Sequence, residues 1–255
     1  GTNSHTFEPP PSAAELLSTA DVVFINGLQL EEPTKALAEA NLGDGAQLIE
    51  LGDRTIDPDQ FKYDFSFPES GGIPNPHLWT DPTLVKVYAQ LIHDTMVEVD
   101  PEGAASYDTN LLAFISLVDE FDEVVRAAFE TIPVDQRKLV TYHDAYAYFA
   151  DTYGWNVVGA LQPADFGEPT AGDVIDLIEQ IEAEGVPAVF GSEGWRVLQV
   201  VFDAAKVGGQ PPPRLRPVLR PRVGPALAQR GCRLVPAVAV ARPDQRRRQR
   251  HANEE

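Results

Sequence analysis

Residues 101–133 carry one uninterrupted amphipathic pattern, and this segment constrains the fold more than any other part of the chain. Its apolar residues recur at steps of three and four positions: Leu111, Ile115, Val118, Phe121, Val125 and Phe129. This spacing predicts a single helix of about 30 residues, roughly 45 Å long. Too few heptads are sustained for a coiled coil, so we interpret the segment as a strut that crosses between two lobes.

Strand and helix patterns alternate on both sides of this helix. Short apolar runs bounded by turn residues predict strands, and apolar residues at helical spacing predict helices. The predicted strands are 20–28, 46–52, 138–142, 156–161 and 187–193, and the predicted helices are 30–43, 81–100, 144–154, 170–185 and 195–209. Because such alternation is typical of parallel sheets, the predicted fold class is α/β, with two parallel-sheet lobes joined by one long helix.

These patterns divide the chain into four segments. Residues 1–100 are predicted to form an N-terminal lobe that is incomplete at its start. Residues 101–133 form the connecting helix, and residues 134–206 form a C-terminal lobe. Residues 207–255 form a tail rich in Arg and Pro.

Charge separates the tail from the rest of the chain. Residues 1–205 carry 8 Lys and Arg against 36 Asp and Glu, whereas residues 206–255 carry 12 against 3. Proline fits neither a helix interior nor a central strand. We therefore expect the tail to be disordered or the product of a frameshift, and a genuine basic binding arm is the alternative.

Composition excludes several classes of protein. The acidic body argues against nucleic acid as a partner. A single cysteine, Cys232, excludes a disulfide framework within the chain. No apolar run reaches the roughly 18 residues that a membrane-spanning helix needs. The chain opens like the middle of a domain, so we expect an export signal to lie upstream.

Three of the five histidines lie at junctions that lead into predicted helices. These are His5, His77 and His143. In a parallel α/β sheet such junctions lie at the carboxyl ends of strands, where ligands bind. Three imidazoles and one further ligand complete a tetrahedral zinc site. Three unrelated histidines, each with a local role, are the alternative.

The stretch "PNPHLWTDP" (74–82) frames His77 between prolines, which favours a stiff loop. The same letters are typical of a helix entry, with Thr80 or Asp81 as the cap and Pro82 as the first helical residue. The sequence leaves both interpretations open.

The other polar candidates are less specific. We interpret His93, inside helix 81–100, and His251, in the tail, as solvent-exposed side chains. Glu193 ends the predicted strand 187–193 and is a candidate fourth metal ligand or general base.

Four segments together resemble the metal-binding receptors of ABC importers for zinc and manganese. "NSHTFEPPPSAAELLSTADVVFINGLQLEE" contains that family's His-x-Tyr/Phe-Glu-Pro motif, and "PNPHLWTDP" matches its Asp-Pro-His-x-Trp-x-Asp-Pro motif with Asn75 at the first Asp. "LVTYHDAYAYFADTYGW" matches its His-Asp-Ala-Phe/Tyr-x-Tyr-Phe motif, and "GEPTAGDVIDLIEQIEAEGVPAVFGSE" extends the resemblance to about residue 206. The resemblance implies metal ligands at His5, His77 and His143, in a cleft between the lobes, and limited hinge motion about the long helix.

The sequence departs from this family at both ends. The family begins with a strand, a helix and a strand before the first histidine, and this sequence lacks them. The family also ends with a strand that carries an Asp as fourth ligand, where this sequence has the Arg/Pro tail. We therefore expect three protein ligands, with water or Glu193 in the fourth position.

The resemblance implies a solute-binding protein and not an enzyme. Such a protein captures Zn²⁺ in the periplasm or outside the cell, in some cases on a lipid anchor, and delivers it to an ABC permease; we expect a monomer. Histidine in the third position favours Zn²⁺ over Mn²⁺, because Mn²⁺ prefers carboxylate oxygen. Binding needs neutral imidazoles, so we expect the affinity to fall as the pH drops towards about 6.

A zinc-dependent hydrolase that uses the same three histidines is the alternative function. No motif places a general base for it, since Glu8 lies between Phe7 and Pro9 and is interpreted as structural.

Overall fold

A computed structural model describes residues 4–162, 166–187, 189 and 190. The helices are α1 (Ala13–Ser18), α2 (Glu32–Asn41), α3 (Pro82–Val99), α4 (Ala104–Glu130), α5 (Ala147–Tyr153) and α6 (Ala171–Glu184). The strands are β1 (Val22–Ile25), β2 (Gln47–Glu50), β3 (Lys138–Thr141), β4 (Asn156–Ala160) and β5 (Val189–Phe190). The predicted helix 195–209, the tail 207–255, Glu193 and His251 lie outside these residues.

The chain is an α/β protein with two parallel sheets, as its sequence predicts. In the first lobe β1 pairs with β2 in parallel. In the second lobe β3 lies between β4 and β5, and both pairings are parallel. β1, β2 and β3 are shorter than the predicted strands 20–28, 46–52 and 138–142, because the outer residues of these apolar runs lie in bends and turns beside the sheets.

The long helix α4 begins at Ala104, after a 3₁₀ turn over Pro101–Gly103. This turn separates α4 from α3, and the Asp100 side chain caps it by accepting a hydrogen bond from the Gly103 amide. At the far end of α4 the ring of Phe129 packs edge-on against Tyr153 and Trp155 of the second lobe. The helix thus contacts both lobes, and the segment limits 1–100, 101–133 and 134–206 stay a prediction.

Two buried apolar clusters hold the structure together. The first lies between the second sheet and α6, and its members are Val140, Tyr142, Val158, Leu161, Leu177 and Ile181. The second joins the lobes, because Leu28, Ile56 and Leu78 of the first lobe pack with Tyr148 of α5. Leu78, the residue after His77, is fully buried in this second cluster. Packing of this kind fixes the backbone that carries His77.

The turn after β1 supports the same loop. The Asn26 side chain donates a hydrogen bond to the Pro76 carbonyl over 2.9 Å and accepts one from the Tyr88 hydroxyl over 2.8 Å. Gly27 follows with φ +79°, and a Cβ built there would lie 2.1 Å from Asp53 Oδ2. That oxygen already accepts a hydrogen bond from the Leu28 amide.

We expect Gly27→Ala to lower the free energy of unfolding by about 1–3 kcal/mol, because it combines left-handed backbone strain with displacement of the Asp53 carboxylate from the Leu28 amide. Gly45→Ala is the matched control. Gly45 has φ +86° but open space around its Cβ position, so strain alone should cost about 1 kcal/mol. Urea denaturation of both variants measures the difference, and equal losses would contradict a steric role for Asp53.

Candidate metal centre

His77 lies at the point where a stiff loop becomes a helix, so both interpretations of the "PNPHLWTDP" stretch hold. The residue is 2 % exposed. A 3₁₀ turn, Leu78–Thr80, follows it. Asp81 then caps α3 by accepting a hydrogen bond from the Thr83 amide, and Pro82 is the first helical residue. The helix entry therefore fixes where the imidazole lies.

The other two junction histidines reach the same place from distant parts of the chain. His143 comes two residues after the end of β3, and its carbonyl accepts a hydrogen bond from the Thr141 hydroxyl. His5 lies on the short 3₁₀ turn Ser4–Thr6. Its ring stacks on Phe166 with the centroids 4.1 Å apart and the planes 7° from parallel.

The Nε2 atoms of the three histidines form a small triangle. The His5–His77 distance is 3.0 Å, the His5–His143 distance is 3.2 Å, and the His77–His143 distance is 2.9 Å. A tetrahedral ion held about 2.0–2.1 Å from each nitrogen would need edges of about 3.3 Å. The observed edges differ from that value by a few tenths of an ångström, so the histidines fit a zinc-sized ion with a fourth position left over.

Two side-chain amides set the tautomers of His77 and His143. The Nδ1 atom of His77 lies 2.6 Å from Asn75 Oδ1, and that of His143 lies 2.6 Å from Gln162 Oε1. The amide of Gln162 is oriented by its NH₂ group, which donates to the Phe166 carbonyl. An amide oxygen can only accept, so each Nδ1 carries the proton and each Nε2 presents a bare lone pair.

The bare lone pairs of His77 and His143 face each other over 2.9 Å. Two neutral acceptors at that distance repel each other unless a cation or a donated proton, such as one on His5 Nε2, lies beside both. A divalent cation supplies positive charge and accepts both lone pairs, which is what a metal ligand pair does. The geometry of the cluster is thus suited to a metal ion.

Burial keeps the three imidazoles neutral. It lowers the pKa of His5 to about 4, with a further contribution from His143. Burial also lowers the pKa of His77, to about 2, and the neighbouring His143 and His5 add to the shift. The pKa of His143 is lowered by burial too, against the opposing effect of Gln162. Protons therefore compete weakly with a metal ion at neutral pH.

A pair of carboxyl groups lies behind the cluster. Burial, followed by the adjacent carboxyl of Asp144, raises the pKa of Asp64 to about 8. The Oδ1 atoms of Asp64 and Asp144 are buried and have no other hydrogen-bond partner among the described residues. The proton that Asp64 retains makes its carboxyl a donor towards Asp144.

His93 takes no part in the cluster, but it is not a simply solvated side chain as its position suggests. Its Nδ1 lies 2.8 Å from Asp94, and its Nε2 lies 2.8 Å from Asp108 of α4. Both nitrogens can donate only in the charged ring, and these two bonds raise the pKa of His93. His93 is therefore a link between α3 and α4.

Sequence reasoning predicted the three histidines that the structure brings together, but it missed the groups around them. Gln162, Asp64 and Phe166 carried no local signal, because each acts on a residue far along the chain. One indirect signal existed for Gln162: it comes two residues after β4, at the carboxyl end of a strand that neighbours β3.

The fold and the cluster define a two-lobed α/β protein with three converging histidines of the kind that bind metal ions. The chain belongs to the family described as "Zinc-uptake complex component A periplasmic" (ZnuA), whose family model matches residues 1–211. Members of this family are substrate-binding components of ABC importers, not enzymes.

Individual relatives carry the names of different metals. The chain is 35% identical over 190 residues to the manganese-binding lipoprotein MntA of Halalkalibacterium halodurans, covering 74% of this chain and 60% of that protein. It is 28% identical over 211 residues to the zinc-binding protein TroA of Treponema pallidum, covering 82% of this chain and 66% of that protein. The chain thus spans less than two thirds of the length of these curated relatives.

Solved structures agree with the fold. The periplasmic zinc-binding protein TroA from Treponema pallidum superposes with a TM-score of 0.70 at 25% identity, over 80% of this chain and 72% of that one. A crystal structure of ZnuA gives a TM-score of 0.66 at 25% identity, over 80% of this chain and 75% of that one. As the sequence also indicates, no helix in the described part of the chain is long and apolar enough to cross a membrane.

Proposed function

We propose that this protein captures Zn²⁺ with His5, His77 and His143 and delivers it to an ABC-type permease in the membrane. It acts in the periplasm or at the outer face of the cell membrane, as a monomer. The observation that carries the proposal is the triangle of Nε2 atoms, in which two amide-fixed lone pairs oppose each other at 2.9 Å. The family assignment supports transport over catalysis and gives the hydrolase alternative no support.

The donor set favours zinc among the metals that relatives are named for. Three imidazole nitrogens suit Zn²⁺, whereas Mn²⁺ prefers carboxylate oxygen. The fourth position, for water or Glu193, stays a prediction. The acidic body, with 36 Asp and Glu against 8 Lys and Arg over residues 1–205, supports capture by raising the local concentration of cations, though it does not select among them.

We expect Zn²⁺ to bind at least about 100-fold more tightly than Mn²⁺, because nitrogen donors follow the Irving–Williams order. Competition of each metal against a chromogenic chelator, on the same preparation stripped of metal, measures the ratio. Equal retention of the two metals would contradict zinc as the cargo and favour manganese, the metal named for the MntA relative.

A further inference from the structure

We propose that Asn75 is a positioning residue that fixes the tautomer of His77 and sets its distance from His143. This inference rests on the proposed metal-binding function and adds to it. Asn75 does not reach the Nε2 triangle; it acts through His77. Its side chain is fully buried between the loop that carries His77 and the residue that follows His143.

Every hydrogen-bonding position of the Asn75 amide is occupied. Its Oδ1 accepts from the His77 amide over 3.0 Å and from His77 Nδ1 over 2.6 Å. Its Nδ2 donates to Asp64 Oδ2 over 2.6 Å and to the Asp144 carbonyl over 3.0 Å. An amide has two donor hydrogens and two acceptor lone pairs, so this side chain is saturated.

These partners allow only one orientation of the amide. A rotation by 180° would turn the NH₂ group towards the backbone N–H of His77 and the amide oxygen towards the Asp144 carbonyl. Each of those contacts would bring two donors or two acceptors together. The oxygen therefore stays on His77 Nδ1, the proton stays on that nitrogen, and the Nε2 lone pair stays directed at the triangle.

The same amide joins the two ligand loops. One end holds His77 and the other holds the backbone of Asp144, the neighbour of His143 in sequence. A carboxylate at position 75 could accept from His77 but would offer no donor to Asp64 or to the Asp144 carbonyl. An amide can do both, which explains why an Asn side chain fits this position.

The test compares the metal-free full-length parent with Asn75→Ala. In ¹⁵N-histidine spectra we expect His77, assigned by its loss in His77→Ala, to be the Nδ1–H tautomer in the parent and a mixture of tautomers in Asn75→Ala. Zinc affinity should fall about 10- to 100-fold in Asn75→Ala, the range typical for partners of metal-binding histidines. A purely structural role would not change the tautomer.

Thr95→Ala is the control for buried polar truncation. Thr95 is 8 % exposed, donates to the Leu91 carbonyl on α3, and lies outside the histidine cluster. The zinc affinity of Thr95→Ala should stay within about twofold of the parent, because sites without shared partners act independently.

The outcomes separate the two proposals. If Asn75→Ala keeps the tautomer and the affinity of the parent while His77→Ala loses binding, the positioning role is wrong and the metal site stands. If His77→Ala binds zinc like the parent, the proposed function itself fails. Should Asn75→Ala not fold, the parent spectrum still decides, because an Nε2–H tautomer at His77 overturns the inference.

Discussion

Replacing His77 with alanine is expected to weaken zinc binding by about 100- to 1,000-fold. Structural zinc sites with four ligands contribute about 10–16 kcal/mol in total, so one ligand accounts for about 2.5–4 kcal/mol, and every 1.4 kcal/mol is a factor of ten. His5→Ala and His143→Ala remove equivalent corners of the triangle and should have losses of the same order. Isothermal titration calorimetry against a competing chelator measures all three.

His93→Ala is the matched control, because it removes an imidazole that bonds Asp94 and Asp108 away from the cluster. Its zinc affinity should equal that of the parent. A parent-like affinity in His77→Ala, or a comparable loss in His93→Ala, would show that the metal binds elsewhere.

Zinc affinity is expected to change less than about 10-fold between pH 7.5 and pH 5.5. Three imidazoles with an ordinary pKa near 6.5 would lose about 1,000-fold over this range, since each must release its proton before it binds metal. Burial lowers the pKa of His5 to about 4 and lowers that of His77 further. The decline expected near pH 6 from the sequence alone is thus moved to lower pH, since burial lowers the pKa of all three histidines.

The free energy of unfolding of the metal-free protein depends on pH through the same lowered histidine pKa values. A lowered pKa in the folded state means that the unfolded chain takes up protons first. The stabilisation that comes from keeping His5 neutral in the folded protein is therefore present above pH 6.5. It is lost as the pH falls through about 4, the pKa of His5 in the folded state. Binding titrations and circular dichroism at each pH separate the two effects. A thousandfold loss of affinity by pH 5.5 in a protein that is still folded would contradict burial of the imidazoles.

Local sequence patterns were sufficient to predict the α/β architecture and the convergence of the three histidines. Strand runs such as "VVFI" and the apolar spacing of α4 depend on neighbouring residues alone. The junction positions of His77 and His143 follow from the helix entry and from the end of β3. Because ligands in parallel α/β sheets gather at such ends, convergence could be predicted before any distance was known.

The environment of the histidines could not be predicted in this way. Asp64 and Asp144 are 80 positions apart, and the pKa of Asp64 is raised only because the loop and the second lobe bury the two carboxyl groups together. The bond from His143 to Gln162 depends on the register between β3 and β4, which shifts after Leu139. Such contacts are set by tertiary packing, and so are the pKa values that follow from them.

The apolar cluster shared by the lobes makes the two sheets one cooperative unit of folding. Leu78 has no solvent exposure, and Tyr148 of the second lobe is only 3 % exposed beside it. Neither lobe can unfold alone without exposing the apolar surface of the other to water, at about 25 cal/mol for each Å². We therefore expect the two sheets to unfold together in a single transition, although they would be drawn as separate domains.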